Sequence, residues 1–144
     1  MTTMTTGQAL AAIAVCEGLG IPEQCIYVGL MKARVPGRME VYQNANGRIT
    51  AIVDYAHNRL SFEKLFLSVK EEYPGRRVVI VFGCPGKKAL DRRKDLSEIA
   101  ARYADLVVIT EEDPGEEDVL DISREMAAYV EAGGCDYSIE PNRG

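Results

Sequence analysis

The sequence predicts an α/β protein: a mostly parallel sheet with flanking helices, preceded by a β-hairpin. Three observations carry this expectation. From residue 39 onward, strand-like and helix-like stretches alternate in the order strand–helix–strand–helix–strand–helix–strand after the hairpin's first strand, which implies right-handed crossovers. Val78 to Phe82 and Leu106 to Thr110 are continuous apolar runs rich in β-branched residues, the pattern of strands buried on both faces. The stretches between them carry single apolar stripes at helical spacing, suited to covering a sheet.

The elements follow in order. Gly7 to Gly20 is Ala-rich, with Leu10, Ile13, Ala14 and Glu17 at helical spacing and Gly18 and Gly20 as terminators. Pro22 opens a second short helix to about Lys32, with Cys25, Ile26 and Leu30 on one face. Two short helices bury little alone, so they are expected to belong against another surface. Val35-Pro36-Gly37 breaks the pattern and places a domain boundary at Arg34 to Gly37. Met39 to Gln43 and Ile49 to Val53 then read as strands joined by Asn44-Ala45-Asn46-Gly47, a hairpin turn sequence. Asn58 caps a helix from Arg59 to Tyr73, whose stripe is Phe62, Leu65, Phe66, Val69 and Tyr73. Asp95-Leu96-Ser97-Glu98 resembles a capping box opening a helix to Tyr103. A helix from Glu117 to Ala132 ends at Gly133-Gly134, and Tyr137 to Glu140 is a last strand.

Composition narrows the function. A chain of 144 residues buries roughly two thirds of its unfolded surface, enough for a core without disulfides. Seventeen basic against 22 acidic side chains leave a net charge of −5, which gives no general affinity for nucleic acid. No apolar run approaches the ~20 residues that span a bilayer, and the start lacks the pattern of a signal peptide. The expected location is the cytoplasm. Cys16, Cys25, Cys84 and Cys135 contain no close pair and His57 is the single histidine, so no zinc site is expected and the cysteines read as reduced thiols.

Ligands of parallel sheets sit at the carboxyl ends of the strands. Three unusual segments fall there. Asp54-Tyr55-Ala56-His57-Asn58 joins a strand to a helix start; Asp54 suits a ribose hydroxyl and His57 a phosphate, although Asp54 and Asn58 also suit plain turn chemistry. Gly83-Cys84-Pro85-Gly86-Lys87-Lys88 lacks the first glycine and the Ser or Thr of a phosphate loop, since Val81 and Lys88 stand there. With Arg92, Arg93 and Lys94 it remains a basic loop, suited to phosphate or carboxylate or simply solvated. The segment from Glu111 to Asp118 has six acids in eight residues. Asp113 as a helix cap with Pro114 in the first turn explains the later acids through the helix dipole. Glu111 and Glu112 are left to meet an ammonium group or, less well, Mg²⁺.

Four pieces in order, Val35-Pro36-Gly37-Arg38-Met39-Glu40, Asp54-Tyr55-Ala56-His57-Asn58, Phe82-Gly83-Cys84 and Glu112-Asp113-Pro114-Gly115, resemble the carboxy-terminal part of the Mur ligases. They are most like the UDP-N-acetylmuramoyl-tripeptide synthetase type. The resemblance implies a Rossmann-like Mur ligase C-terminal domain from residue 35 to 144, continuing beyond Gly144. Residues 1–34 would be the helical end of the central ATPase domain. It implies an ATP- and Mg²⁺-dependent ligase of peptidoglycan synthesis that adds the third amino acid to UDP-N-acetylmuramoyl-dipeptide through an acyl phosphate. The phosphate loop and metal ligands belong to the central domain, so this segment by itself is expected to hold no catalytic or metal residue and to be inactive.

The resemblance also implies roles residue by residue. Arg38, Asp54, His57 and Asn58 match nucleotide positions, Arg38 as the arginine that reaches ATP after domain closure and Asp54 at the ribose. Arg59 stands where the family continues with Pro. Lys88, Glu112, Asp113 and Gly115 match the amino-acid site. Relatives that add meso-diaminopimelate carry Asp-Asn-Pro-Arg at the tetrad, and Gly115 removes that arginine. Lysine or ornithine is therefore favoured over diaminopimelate. The alternatives are a non-catalytic α/β binding domain and another carboxylate–amine ligase of folate or cyanophycin type.

Overall fold

The computed structural model describes residues 6–33 and 36–143. Arg34 and Val35, at the expected domain boundary, lie outside the described residues, as does Gly144. The chain forms two compact units, residues 1–55 and 56–144.

The first unit holds helices α1 (Thr6–Gly18) and α2 (Glu23–Lys32) and strands β1 (Glu40–Gln43) and β2 (Thr50–Val53). Ile26 is the single buried side chain of the two helices, and Leu10, Leu19, Tyr27 and Met31 are exposed. β1 and β2 pair antiparallel, Glu40 opposite Val53 and Gln43 opposite Thr50. Asn44 closes the hairpin: its carbonyl accepts from Gly47 N–H and its Oδ1 from Ile49 N–H. The turn chemistry of the sequence is thus used as expected.

The second unit holds α3 (Arg59–Glu72), β3 (Val79–Phe82), α4 (Asp91–Tyr103), β4 (Leu106–Thr110), α5 (Val119–Ala132) and β5 (Tyr137–Glu140). The three strands form a parallel sheet in the order β3-β4-β5. Phe62 and Phe66 of α3, Leu96, Ile99 and Ala100 of α4, and Ile122, Met126, Ala127 and Val130 of α5 form one core with Val107 and Ile109 of β4. Phe62 meets Phe66 edge-on at 5.4 Å and Phe82 at 5.1 Å, while Phe66 stacks on Tyr103 at 5.6 Å. α4 and α5 pack closely through small residues: Ser97 and Ser123 are buried, and a Cβ on Gly133 would sit 2.5 Å from that of Ala101.

Three local expectations are revised. β2 pairs with β1 in a separate two-stranded sheet, so the parallel sheet has three strands. β3 is covered on one face only, with Val79 50% and Val81 62% exposed. Successive right-handed crossovers across β3-β4-β5 bring α4 and α5 to the same face, and the other face of this edge strand is left open. Finally, α4 begins at Asp91 rather than Asp95, and Asp118 rather than Asp113 caps α5, accepting from Leu120 N–H at 2.7 Å.

Candidate functional site

The carboxyl ends of β3 and β4 carry the loops 83–90 and 111–118, and two glycines let them touch. A Cβ on Gly83 would overlap the Thr110 carbonyl oxygen, and one on Gly86 would overlap the Pro114 carbonyl oxygen. Only glycine permits so close a backbone approach. Gly86 N–H donates to the Asp113 carbonyl at 2.9 Å.

Arg93 fastens the pair from below. Its side chain is 4% exposed and lies against carboxylates of two segments. It donates to Glu117 Oε1 at 2.9 Å and Oε2 at 2.7 Å, to Glu125 Oε2 at 2.7 Å and to the Pro85 carbonyl at 3.3 Å. A cation in the first turn of α4 opposes that helix's dipole, and the two glutamates offset it. Glu117 also accepts from Lys87 N–H at 2.9 Å. The Arg93 bonds, and then the Lys87 amide, hold the Glu117 carboxyl below the usual carboxylate range. The Glu117 contact in turn raises the already high pKa of Arg93. Lys87 and Ala89 adopt left-handed backbone, φ 51° and 45°. Such conformations cost on the order of 1–3 kcal/mol each and persist where surroundings fix them.

Above this fastening lie the sequence-predicted amino-acid residues. Lys88 Nζ is 3.6 Å from Asp113 Oδ2, and Lys87 Nζ is 2.9 Å from Glu116 Oε2. The structure therefore brings Lys88 and Asp113 together, both well exposed to a ligand. Gly115 sits in the same loop at φ 59°, a conformation open to glycine and strained for other residues. Glu112 is exposed, and its charge acts on the buried Cys84: burial first, and the Glu112 charge second, push the Cys84 thiol up to about 12. Cys84 is thus protonated and inert at neutral pH. The four cysteines are free thiols, Cys84 buried and Cys25 exposed. Burial likewise raises Cys135.

The candidate nucleotide residues divide between the two units. In the first, the Arg38 guanidinium lies 5.1 Å from the Tyr55 ring centroid, a cation–π contact. Asp54 Oδ2 accepts from Met39 N–H at 2.9 Å, which supports the left-handed Met39 at φ 47°. In the second, His57 N–H donates to Ser61 Oγ at 3.3 Å. Asn58 forms a reciprocal capping box with Ser61, and α3 starts at Arg59 with no proline in its first turn. Arg59 pairs with Asp95 at 2.7 Å.

Sequence reasoning missed Arg93 and Glu117 as individuals. Arg93 was one of several basic residues in a loop, and Glu117 one of six acids. A signal was present: Arg93, Leu96, Ser97 and Ala100 share one helical face. Among the described residues, no group of three or more His, Cys, Asp or Glu could hold a metal ion. No described helix is long and apolar enough to cross a membrane.

Comparison with known proteins gives a consistent picture. The family model described as Mur ligase, glutamate ligase domain, matches residues 37–144. The chain is 39% identical over 124 residues to UDP-N-acetylmuramoyl-L-alanyl-D-glutamate–L-lysine ligase of Enterococcus faecalis, covering 86% of this chain and 24% of that protein. The Streptococcus agalactiae enzyme of the same name is 42% identical over 123 residues, covering 85% and 25%. The chain thus spans about a quarter of the length of these relatives. Among solved structures, UDP-N-acetylmuramate–alanine ligase of Thermotoga maritima superposes with a TM-score of 0.70 at 23% identity, over 94% of this chain and 28% of that one. Folylpolyglutamate synthase of the same organism gives 0.63 at 22%, over 94% and 31%. At these identities the two structures speak for the fold, the Rossmann-like α/β arrangement expected from the sequence.

Proposed function

Because the chain belongs to the Mur ligase family, within its glutamate ligase domain, we propose that it is the carboxy-terminal part of an ATP-dependent ligase that adds L-lysine to UDP-N-acetylmuramoyl-dipeptide in the cytoplasm. Residues 1–34 are read as the end of the preceding ATPase domain and residues 35–144 as the domain that receives the amino acid.

The observation that carries this reading is the meeting of Lys88 and Asp113 across the two loops. An amino acid presents a carboxylate and an ammonium. Lys88 offers the cation for the first, and Asp113 with Glu112 the anions for the second. A zwitterion replaces the weak, exposed ion pair at little cost. A lysine side chain brings a second ammonium to a loop rich in acids. Diaminopimelate brings a further carboxylate, and Gly115 supplies no arginine to meet it. The relatives named as L-lysine ligases favour the same amino acid, and ornithine is the nearest competitor by charge.

The nucleotide assignment follows the same logic. Arg38, held over Tyr55, offsets charge on the phosphates as the dipeptide carboxylate becomes an acyl phosphate. Asp54, His57 and Asn58 are read as contacts to ATP, Asp54 toward the ribose. Magnesium finds no ligand set among the described residues, and no step through it is assigned to this segment.

The test is an amino-acid panel with the full-length ligase carrying this segment, read as phosphate release. Lysine is expected to give the highest kcat/KM, ornithine to follow and meso-diaminopimelate to be poor. A preference for diaminopimelate refutes the substrate assignment.

A further inference from the structure

We propose that Glu117 is a positioning residue for the amino-acid site: its carboxylate ties loop 83–90 to loop 111–118 and so sets the separation of Lys88 from Asp113. The inference rests on the assignment of those two residues to the amino acid.

Three donors converge on Glu117. Lys87 N–H reaches Oε2 at 2.9 Å, and Arg93 engages both oxygens at 2.9 and 2.7 Å. Lys87 is the immediate neighbour of Lys88, so the carboxylate acts on the backbone one residue from the substrate-facing cation. On the other side, Glu117 N–H donates to the Pro114 carbonyl at 3.1 Å, one residue from Asp113. Gly86 N–H to the Asp113 carbonyl closes the ring at 2.9 Å. Cation and anion of the site therefore flank one closed circuit of hydrogen bonds, in which Glu117 belongs to loop 111–118 and its side chain accepts from the backbone of loop 83–90. Arg93 fixes the carboxylate from the interior. Glu117 precedes the Asp118 cap and lies outside α5, so its place in the chain is not spent on helix capping.

Glu125 provides the internal control. It accepts from Arg93 Nη1 at 2.7 Å from within α5, eight residues along the chain from Glu117. A role confined to neutralising Arg93 makes both glutamates matter to stability alone; a positioning role makes Glu117, which also reaches the Lys87 amide, matter to the amino-acid KM and to the order of loop 83–90. Glu117→Gln keeps the shape of the side chain but removes its charge and turns one of its two acceptors into a donor facing Arg93, which weakens the charge-assisted bonds that hold the carboxylate against Arg93 and Lys87.

The experiment compares Glu117→Gln with Glu125→Gln in the full-length ligase. For Glu117→Gln, KM for the amino acid is expected to rise about tenfold or more, the effect of one charge-assisted hydrogen bond, with KM for ATP nearly unchanged. Amide exchange over residues 83–90, read by mass spectrometry, is expected to quicken in that variant alone. Glu125→Gln is expected to leave both KM values and that exchange near wild type. Equal KM changes in the two variants, or an unchanged KM and loop exchange in Glu117→Gln, overturn the proposal. If the wild-type ligase prefers another amino acid, the lysine assignment fails; the same comparison, run on the preferred amino acid, still decides the role of Glu117.

Discussion

Replacing Arg93 with Met keeps the aliphatic stem in the core and deletes the guanidinium, so it isolates the worth of the charge. The lost interactions are the bonds to Glu117, Glu125 and the Pro85 carbonyl. Removing one partner of a buried ion pair costs about 3–5 kcal/mol. Here the glutamate side chains retain 26% and 44% exposure and recover water once the cation is gone. That places the expected loss at the lower end, about 3 kcal/mol. Urea denaturation followed by circular dichroism reads this as a midpoint lowered by roughly 1–3 M.

The pH dependence supplies a second readout. Glu117 has its folded pKa depressed, chiefly by Arg93. A depressed carboxylate contributes stability that is fully present above its unfolded pKa and is lost as pH falls through the folded value. The Met variant lacks the main cause of that depression. The gap between wild type and variant is therefore full at neutral pH and narrows as the solution is acidified below the usual carboxylate range. A variant within about 1 kcal/mol of wild type at neutral pH, or a gap that stays constant into acid, refutes the reasoning.

Two further substitutions probe the supports of the site. Gly86→Ala puts a Cβ against the Pro114 carbonyl and forces the loops apart; the expected cost is about 1–3 kcal/mol with a raised KM for the amino acid, and a wild-type denaturation midpoint would show that the loops yield freely. Asn58→Ala removes half of the capping box on α3 and is expected to lose about 1 kcal/mol by urea titration, while Asn58→Asp should stay within a few tenths; equal losses in the two would mean that the cap contributes nothing.

Much of this molecule was legible in local sequence. The hairpin follows from Asn44 and Gly47, whose turn chemistry acts over four residues. The start of α3 follows from Asn58, whose side chain bonds three residues ahead. The order of strands and helices follows from periodicities of two and 3.6, and with it the placing of both loops at the carboxyl ends of the strands. The motifs that resemble the Mur ligases are short and contiguous, so they too were readable without coordinates.

What tertiary structure decided was direction. Val79 and Val81 are as apolar as Val107 and Ile109, yet they are exposed and the latter are buried, because strand order, not composition, determines which face the helices cover. Arg93 sits among Arg92 and Lys94 with the same charge. Only the start of α4 at Asp91 carries the helix far enough back to turn Arg93 inward. Glu117 differs from its acidic neighbours because the Arg93 guanidinium of α4, 24 residues away in sequence, and the Lys87 amide, 30 residues away, converge on it. Hydrophobic spacing is a local property and survives in one dimension. The partner of a charge is set by long-range packing, which becomes visible only when the two loops are brought together in three.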